Sequence, residues 1–230
     1  MAERIWVTRA QPGAARTARR LADLGYEPVV APILTLQPLS FEPPAPATIA
    51  ALAFTSANGV AAFAGFAAAF RDHPVFTVGA ATAEAARTVG FTQVGSAEGD
   101  AQALARLLAD AAPTGPVLAP GAARPAADLQ ALTGPGVRVL PLAVYEAMET
   151  GVAAPDFGTV LIHSPRAARA VAALGPAAAL GPAAAGRLAL AISEAAAAPL
   201  TALPFAEIRI AAAPTEAALL HLLGKPRARV

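Results

Sequence analysis

The chain has 230 residues, enough for two small α/β domains. Seventeen basic residues against sixteen acidic ones leave a net charge of +1, which excludes the strongly basic surface of a nucleic-acid or anionic-membrane binder. Apolar residues make up 56% and charged residues 14%, which excludes intrinsic disorder, and with aromatics at 5% the core must be aliphatic. There is no cysteine, so a disulfide scaffold, a thiolate-held metal and a thiol nucleophile are excluded. His73, His163 and His221 have no metal-ligand spacing. The opening Met1–Val7 lacks the apolar run of a secretory signal, and Gly or Pro interrupts even the charge-free Ala170–Gly186, so a soluble cytoplasmic protein is expected. The 66 alanines, and Lys225 as the only lysine, read as the mark of a GC-rich genome rather than of function.

In chain order, Ile5–Thr8 reads as a buried strand and Pro12–Leu24 as a helix closed by Gly25, with Leu21 and Leu24 on one face and Arg16, Arg19 and Arg20 on the other. Pro28–Leu36 is the next strand. Leu52–Thr55 is a strand followed by Ser56-Ala57-Asn58-Gly59 and a helix through Phe70. Val75–Val78 leads through Gly79-Ala80-Ala81-Thr82 into a helix ending near Val89. Gln93–Val94 is a short strand, and Asp100 caps a helix over Ala101–Ala111. Further strands are Val117–Ala119, Val137–Tyr145, Thr159–Ile162, Leu188–Ile192 and Ile208–Ala211, with Thr215 capping a last helix over Glu216–Leu223. Continuous apolar strands alternating with helices predict parallel sheets covered on both faces. Ligands of such sheets bind at the strands' carboxyl ends.

The chain also repeats itself. Ala53–Val60 resembles Leu161–Ala168, Phe76–Ala83 resembles Leu190–Ala197, and Gly99–Leu104 resembles Pro214–Leu219, at offsets of about 110 residues. The opening Ile5–Leu34 resembles Val117–Val144 in the same strand, turn, helix, strand order. Two similar α/β halves predict a ligand cleft and a hinge motion.

Most catalytic motifs are missing. Thr8-Arg9-Ala10-Gln11-Pro12-Gly13 lacks the glycines of a dinucleotide loop, and there is no P-loop and no Gly-x-Ser-x-Gly elbow. His163 adjoins Ser164, but neighbours on a strand point to opposite faces, so a Ser–His couple is not expected. Glu146 and Glu149 read as solvated charges, and the basic end Lys225–Arg229 as a frayed terminus. What remains is a set of small, donor-bearing loops: Thr8-Arg9, Ser56-Ala57-Asn58, Gly79-Ala80-Ala81-Thr82, Pro120–Arg124, Ser164-Pro165-Arg166 and Ser193-Glu194-Ala195. Singly, each loop suits ordinary helix capping. Together, they suit a ligand with many carboxylates.

The order and spacing of Leu52–Ser56, Val78–Ala83, Leu142–Tyr145 and Ile162–Pro165 resemble the uroporphyrinogen-III synthase family, as do Val7-Thr8-Arg9, Gly25–Pro28, Pro32–Leu34 and Ala212–Leu220. The resemblance spans nearly the whole chain. It implies two flavodoxin-like parallel-sheet domains joined by a two-stranded connector, with the ligand cleft between them. Domain one would take residues 1–37 plus 150–230, and domain two 38–149. The repeated halves would then exchange their first strand–helix–strand element.

The activity implied is cyclisation of the linear tetrapyrrole hydroxymethylbilane, with inversion of ring D and loss of water, using no cofactor and no metal. The partners implied are that substrate and its transfer from hydroxymethylbilane synthase, with neither nucleic acid nor membrane. Without a long exposed apolar seam, a monomer is expected. Tyr145 would face the substrate and donate a hydrogen bond to the departing hydroxyl. Thr8, Arg9, Ser56, Ala57, Asn58, Gly79, Ala81, Thr82, Arg124, Ser164, Arg166 and Ser193 would hold the substrate. The Ser193-Glu194-Ala195-Ala196 loop departs from the polar or Thr-rich family pattern, which leaves Ser193 as its one side-chain hydroxyl. Two other classes compete with this reading. A two-domain small-molecule binding or sensor protein would share the cleft without catalysis. A flavin or response-regulator pair lacks an acidic cluster beside Thr8-Arg9 and an aromatic pair to sandwich a flavin.

Overall fold

The computed structural model describes residues 2–174 and 183–224. The expectation for the Lys225–Arg229 end, and Gly175, Pro176, Gly181 and Pro182, lie outside the described residues. The chain divides into two compact units, Met1–Leu36 with Met148–Val230, and Gln37–Ala147.

The sheet of the first unit is built from β1 (Arg4–Val7), β2 (Glu27–Val30), β9 (Thr159–Ile162), β10 (Leu188–Ala191) and β11 (Glu207–Ile210), in the order β11-β10-β9-β1-β2. All four pairings are parallel. The helices are α1 (Gly13–Asp23), α6 (Pro165–Ala173), α7 (Glu194–Ala197) and α8 (Glu216–His221). They cover both faces, because alternate residues of each strand enter different cores. Trp6, Val160, Ile162 and Ala189 join the core under α6. Ile5, Val7, Leu161 and Leu190 join the one that holds Ala14 and Leu21 of α1 and Leu219 of α8. Trp6 is fully buried against Phe157, and its indole N–H donates to the Ala31 carbonyl at 2.7 Å, so the bulkiest core residue leaves no orphan donor.

In the second unit, β3 (Leu34–Pro38), β4 (Ala51–Phe54), β5 (Val75–Thr77), β6 (Val94–Ser96), β7 (Val117–Ala122) and β8 (Val139–Glu149) line up as β3-β8-β7-β4-β5-β6. β4 through β8 pair in parallel. β3 runs antiparallel to β8, since Leu39 donates to Val144 while Thr150 donates to Ile33. The helices are α2 (Ala57–Phe63), α3 (Ala80–Thr88), α4 (Ala101–Ala111) and α5 (Leu129–Thr133). One core gathers Phe54, Phe63, Phe70 and Phe91. The other gathers Leu104, Leu108, Val117 and Val139.

Several expected elements differ. The strand expected over Val117–Ala119 runs on to Ala122, which takes Pro120–Ala122 out of the expected loop. Pro28–Leu36 is not one strand: the chain leaves the first sheet after Val30 and re-enters an extended path at Leu34. Pro32 has no N–H to give a ladder, the Ala31 carbonyl goes to Trp6, and Ile33 donates to Thr8 instead. The helix expected through Phe70 is α-helical only to Phe63 and continues as a 3₁₀ segment over Ala64–Phe70, where Ala64 bonds back three residues to Ala61. The strand expected to end at Tyr145 runs on to Glu149, which places Glu146 and Glu149 on opposite faces of β8.

Gly59 has a packing role. A Cβ there would stand 2.7 Å from the Pro120 carbonyl oxygen, so α2 meets β7 at backbone contact. Gly59→Ala should therefore lower stability by about 1–3 kcal/mol through overpacking. Gly65, with open space around its Cβ position, should tolerate alanine. Urea denaturation of the two variants tests this contrast, and equal midpoints would show that α2 can retreat without cost.

Candidate functional site

In a parallel sheet every strand ends on the same edge, and that edge collects the sequence-predicted residues in each unit. In the second unit Ser56 follows β4, Gly79–Thr82 follow β5, and Arg124 follows β7. Tyr145 lies on β8 opposite Ala122, where the β7–β8 register slips between Gly121 and Ala122. The slip is a local bulge, a device that re-aims side chains. The Tyr145 ring packs against the core that contains Phe54, Val60 and Phe63. Its phenol oxygen lies 3.3 Å from the Ser56 hydroxyl. Ser56 also caps α2, accepting the Gly59 N–H at 3.2 Å.

The other sequence-predicted residues of this unit follow the ends of β4, β5 and β7. Ala57 and Asn58 form the half-buried first turn of α2. Gly79 starts α3 with extended backbone and no side-chain cap. Ala81 is exposed, while Thr82 is buried with its N–H on the Gly79 carbonyl. Arg124 is largely exposed and sits 3.7 Å from Glu146, so its charge is partly answered within the loop.

In the first unit, Thr8, Ser164 and Ser193 end β1, β9 and β10 side by side. Ser164 accepts the Ala167 N–H at 3.1 Å and Ser193 accepts the Ala196 N–H at 3.3 Å. Both serines are thus helix caps, a position that serine favours because its hydroxyl accepts an otherwise unpaired N–H. Arg166 lies in the first turn of α6. Thr8 is fully buried and its hydroxyl donates to the Leu161 carbonyl at 2.6 Å. The structure directs that side chain into the sheet.

Arg9 is half-buried and folded onto the start of α1, where a Cβ on Gly13 would touch its guanidinium. It reaches Glu216 at 3.4 Å. Glu216 also takes Arg20 at 3.0 Å and the Thr17 hydroxyl. Burial pulls Arg9 below its usual pKa while Glu216 pushes it back up, and the group stays cationic. Glu216 is a partner that no motif in the sequence points to. It lies 207 residues from Arg9, and its only signal is an acidic residue at the head of the last helix.

His163 is the other feature the sequence underrated. The residue as a whole is half-buried, yet both ring nitrogens are sealed from water and have no hydrogen-bond partner among the described residues. No His163–Ser164 bond forms. Burial, helped by the nearby Arg9 charge, pulls the imidazole pKa from 6.5 to about 3, so the ring is neutral. Among the described residues no group of three or more His, Cys, Asp or Glu could hold a metal ion, and no helix is long and apolar enough to cross a membrane.

A scan against protein-family models matches residues 15–221 to "Uroporphyrinogen-III synthase HemD". This chain belongs to that family. Among solved structures, a mutant uroporphyrinogen III synthase from the extremely thermophilic bacterium Thermus thermophilus matches at 16% identity, covering 97% of each chain with a TM-score of 0.55. The wild-type Thermus enzyme in another crystal form also has 16% identity, with 90% of this chain and 92% of that one covered at a TM-score of 0.41. At this identity the first match speaks for the fold: an α/β protein of two parallel-sheet domains. No curated protein matches the sequence. Ser56 and Tyr145, two sequence-predicted site residues 89 positions apart, meet through their side chains.

Proposed function

We propose that this chain is a uroporphyrinogen-III synthase, closing hydroxymethylbilane to uroporphyrinogen III with inversion of ring D and release of one water. The observation that carries the reading is the Tyr145 phenol, held at the carboxyl edge of the second sheet with its oxygen 3.3 Å from Ser56, in a chain of this family. A phenol O–H can donate to a departing hydroxyl. The C–O bond breaks, the oxygen leaves with the electron pair and the phenol proton as water, and an azafulvene cation remains on the bilane. Attack by the substituted ring D carbon gives a spiro intermediate, which fragments and recloses. The proton lost when the last ring regains aromaticity returns to the phenol.

The pyrroles themselves supply the electrons, so the protein's work is to fold the bilane and hold its eight carboxylates. Capped helix starts at Ser56, Ser164 and Ser193, the Gly79–Thr82 turn, and the cations Arg9, Arg124 and Arg166 are the groups this reading assigns to that task. The first readout is an isomer assay, with hydroxymethylbilane incubated with the purified protein, oxidised, and the porphyrins separated by chromatography. Isomer III is expected. Isomer I at the background rate, with folded protein present, would discard catalysis in favour of a binding protein.

A further inference from the structure

Ser56 has two neighbours and one proton. Its oxygen accepts the Gly59 N–H at 3.2 Å, which uses one lone pair. The other polar atom recorded against it is the Tyr145 phenol oxygen at 3.3 Å. If the phenol gave its proton to Ser56, it would have none for a ligand. If Ser56 gives its proton to the phenol oxygen, the phenol's own proton is free. Once the phenol has given up its proton its oxygen can only accept, and the serine O–H is then the donor of the pair. The backbone holds the pair in place. Gly59 packs α2 at contact distance on Pro120, and the Ala123 N–H donates to the Tyr145 carbonyl at 2.8 Å. Both hydroxyls are therefore carried on elements anchored to β7 or to the residue that follows it.

Building on the synthase reading, we propose that Ser56 is a positioning residue for Tyr145. Its O–H donates to the phenol oxygen, turns the phenol proton toward the leaving hydroxyl, and stays bonded to that oxygen while it carries negative charge. Ser56 makes no covalent bond and moves no proton of its own. When the phenol regains its proton at the end of the cycle, the original arrangement is restored.

The test is a double-mutant cycle on the full-length protein, read as isomer III formation. Ser56→Ala should lower kcat by roughly tenfold and leave KM within about twofold. The same change in a Tyr145→Phe background should have no further effect, because the group it positions is gone. Ser56→Thr, which keeps the hydroxyl, should recover most of the rate. Ser56→Gly provides the same deletion with little loss of capping if the alanine variant folds poorly. Equal losses in both backgrounds would overturn the proposal, since Ser56 would then act on substrate or fold directly. Wild-type kcat in Ser56→Ala would overturn it as well. A wild-type protein that yields no isomer III would instead sink the synthase reading beneath it.

Discussion

Tyr145→Phe should lower the rate of isomer III formation by one to two orders of magnitude, on the order of a lost general acid. The substitution removes one oxygen and keeps the ring. The ring packs against the core of Phe54, Val60 and Phe63, so the variant should keep its fold and its melting behaviour. What it loses is the only phenol at this edge, since Tyr26, the other tyrosine, lies in the first unit with its hydroxyl on the Leu223 and Gly224 carbonyls. The loss should fall on kcat, because a proton delivered to a departing hydroxyl matters in the transition state more than in the bound substrate. Single-turnover kinetics with hydroxymethylbilane would show this directly. A wild-type rate in the folded variant would return Tyr145 to a packing role in β8.

Acid should destabilise the first unit through His163. The folded imidazole has a pKa of about 3, against 6.5 for a free histidine side chain. Between these values the unfolded chain binds a proton that the folded chain refuses, so protons favour unfolding. The contribution is fully present above about pH 6.5 and declines as pH falls toward 3. By pH 4 the loss amounts to about 3 kcal/mol, at about 1.36 kcal/mol per unit. Other groups titrate in the same window. Asp156, held down chiefly by its hydrogen bond from Arg4, and Glu207, held down by Arg209, also favour the folded state at higher pH. The comparison must therefore be with His163→Phe, which keeps a planar ring but cannot titrate. The wild type should lose stability faster than the variant between pH 6.5 and 4 in urea titrations. Parallel curves would mean that His163 finds a partner or reaches water.

The physical basis for both expectations was unevenly legible in the residue order. Local chemistry could be read directly. Ser56, Asp100, Ser164, Ser193 and Thr215 each precede an Ala-rich run, and each accepts an N–H from the third residue of its helix. The apolar strands with helices between them required parallel sheets buried on both faces, and that is the architecture found. The extended run over Pro28–Leu36 divides where Pro32 has no N–H to give the ladder.

Nonlocal pairing could not be read in this way. The repeat shows that β1–α1–β2 and β7–α5–β8 are alike. Both would suit either sheet, because neighbouring parallel strands of Val, Leu and Ala are nearly interchangeable partners. The structure places β1 beside β9 and β7 beside β4. The Ser56–Tyr145 contact and the Arg9–Glu216 pair depend on that choice, since each joins residues from strands or helices far apart in the chain. The sealed nitrogens of His163 depend on it too, because burial is a property of what packs overhead. By itself, then, the sequence determined the elements, their caps, the two-sheet class and which small loops end strands, because those follow from periodicity and from hydrogen bonds that reach three or four residues. Only the tertiary structure decided which hydroxyl meets which phenol and which cation is paired with a carboxylate, because those contacts close over distances at which neither propensity nor pattern carries information.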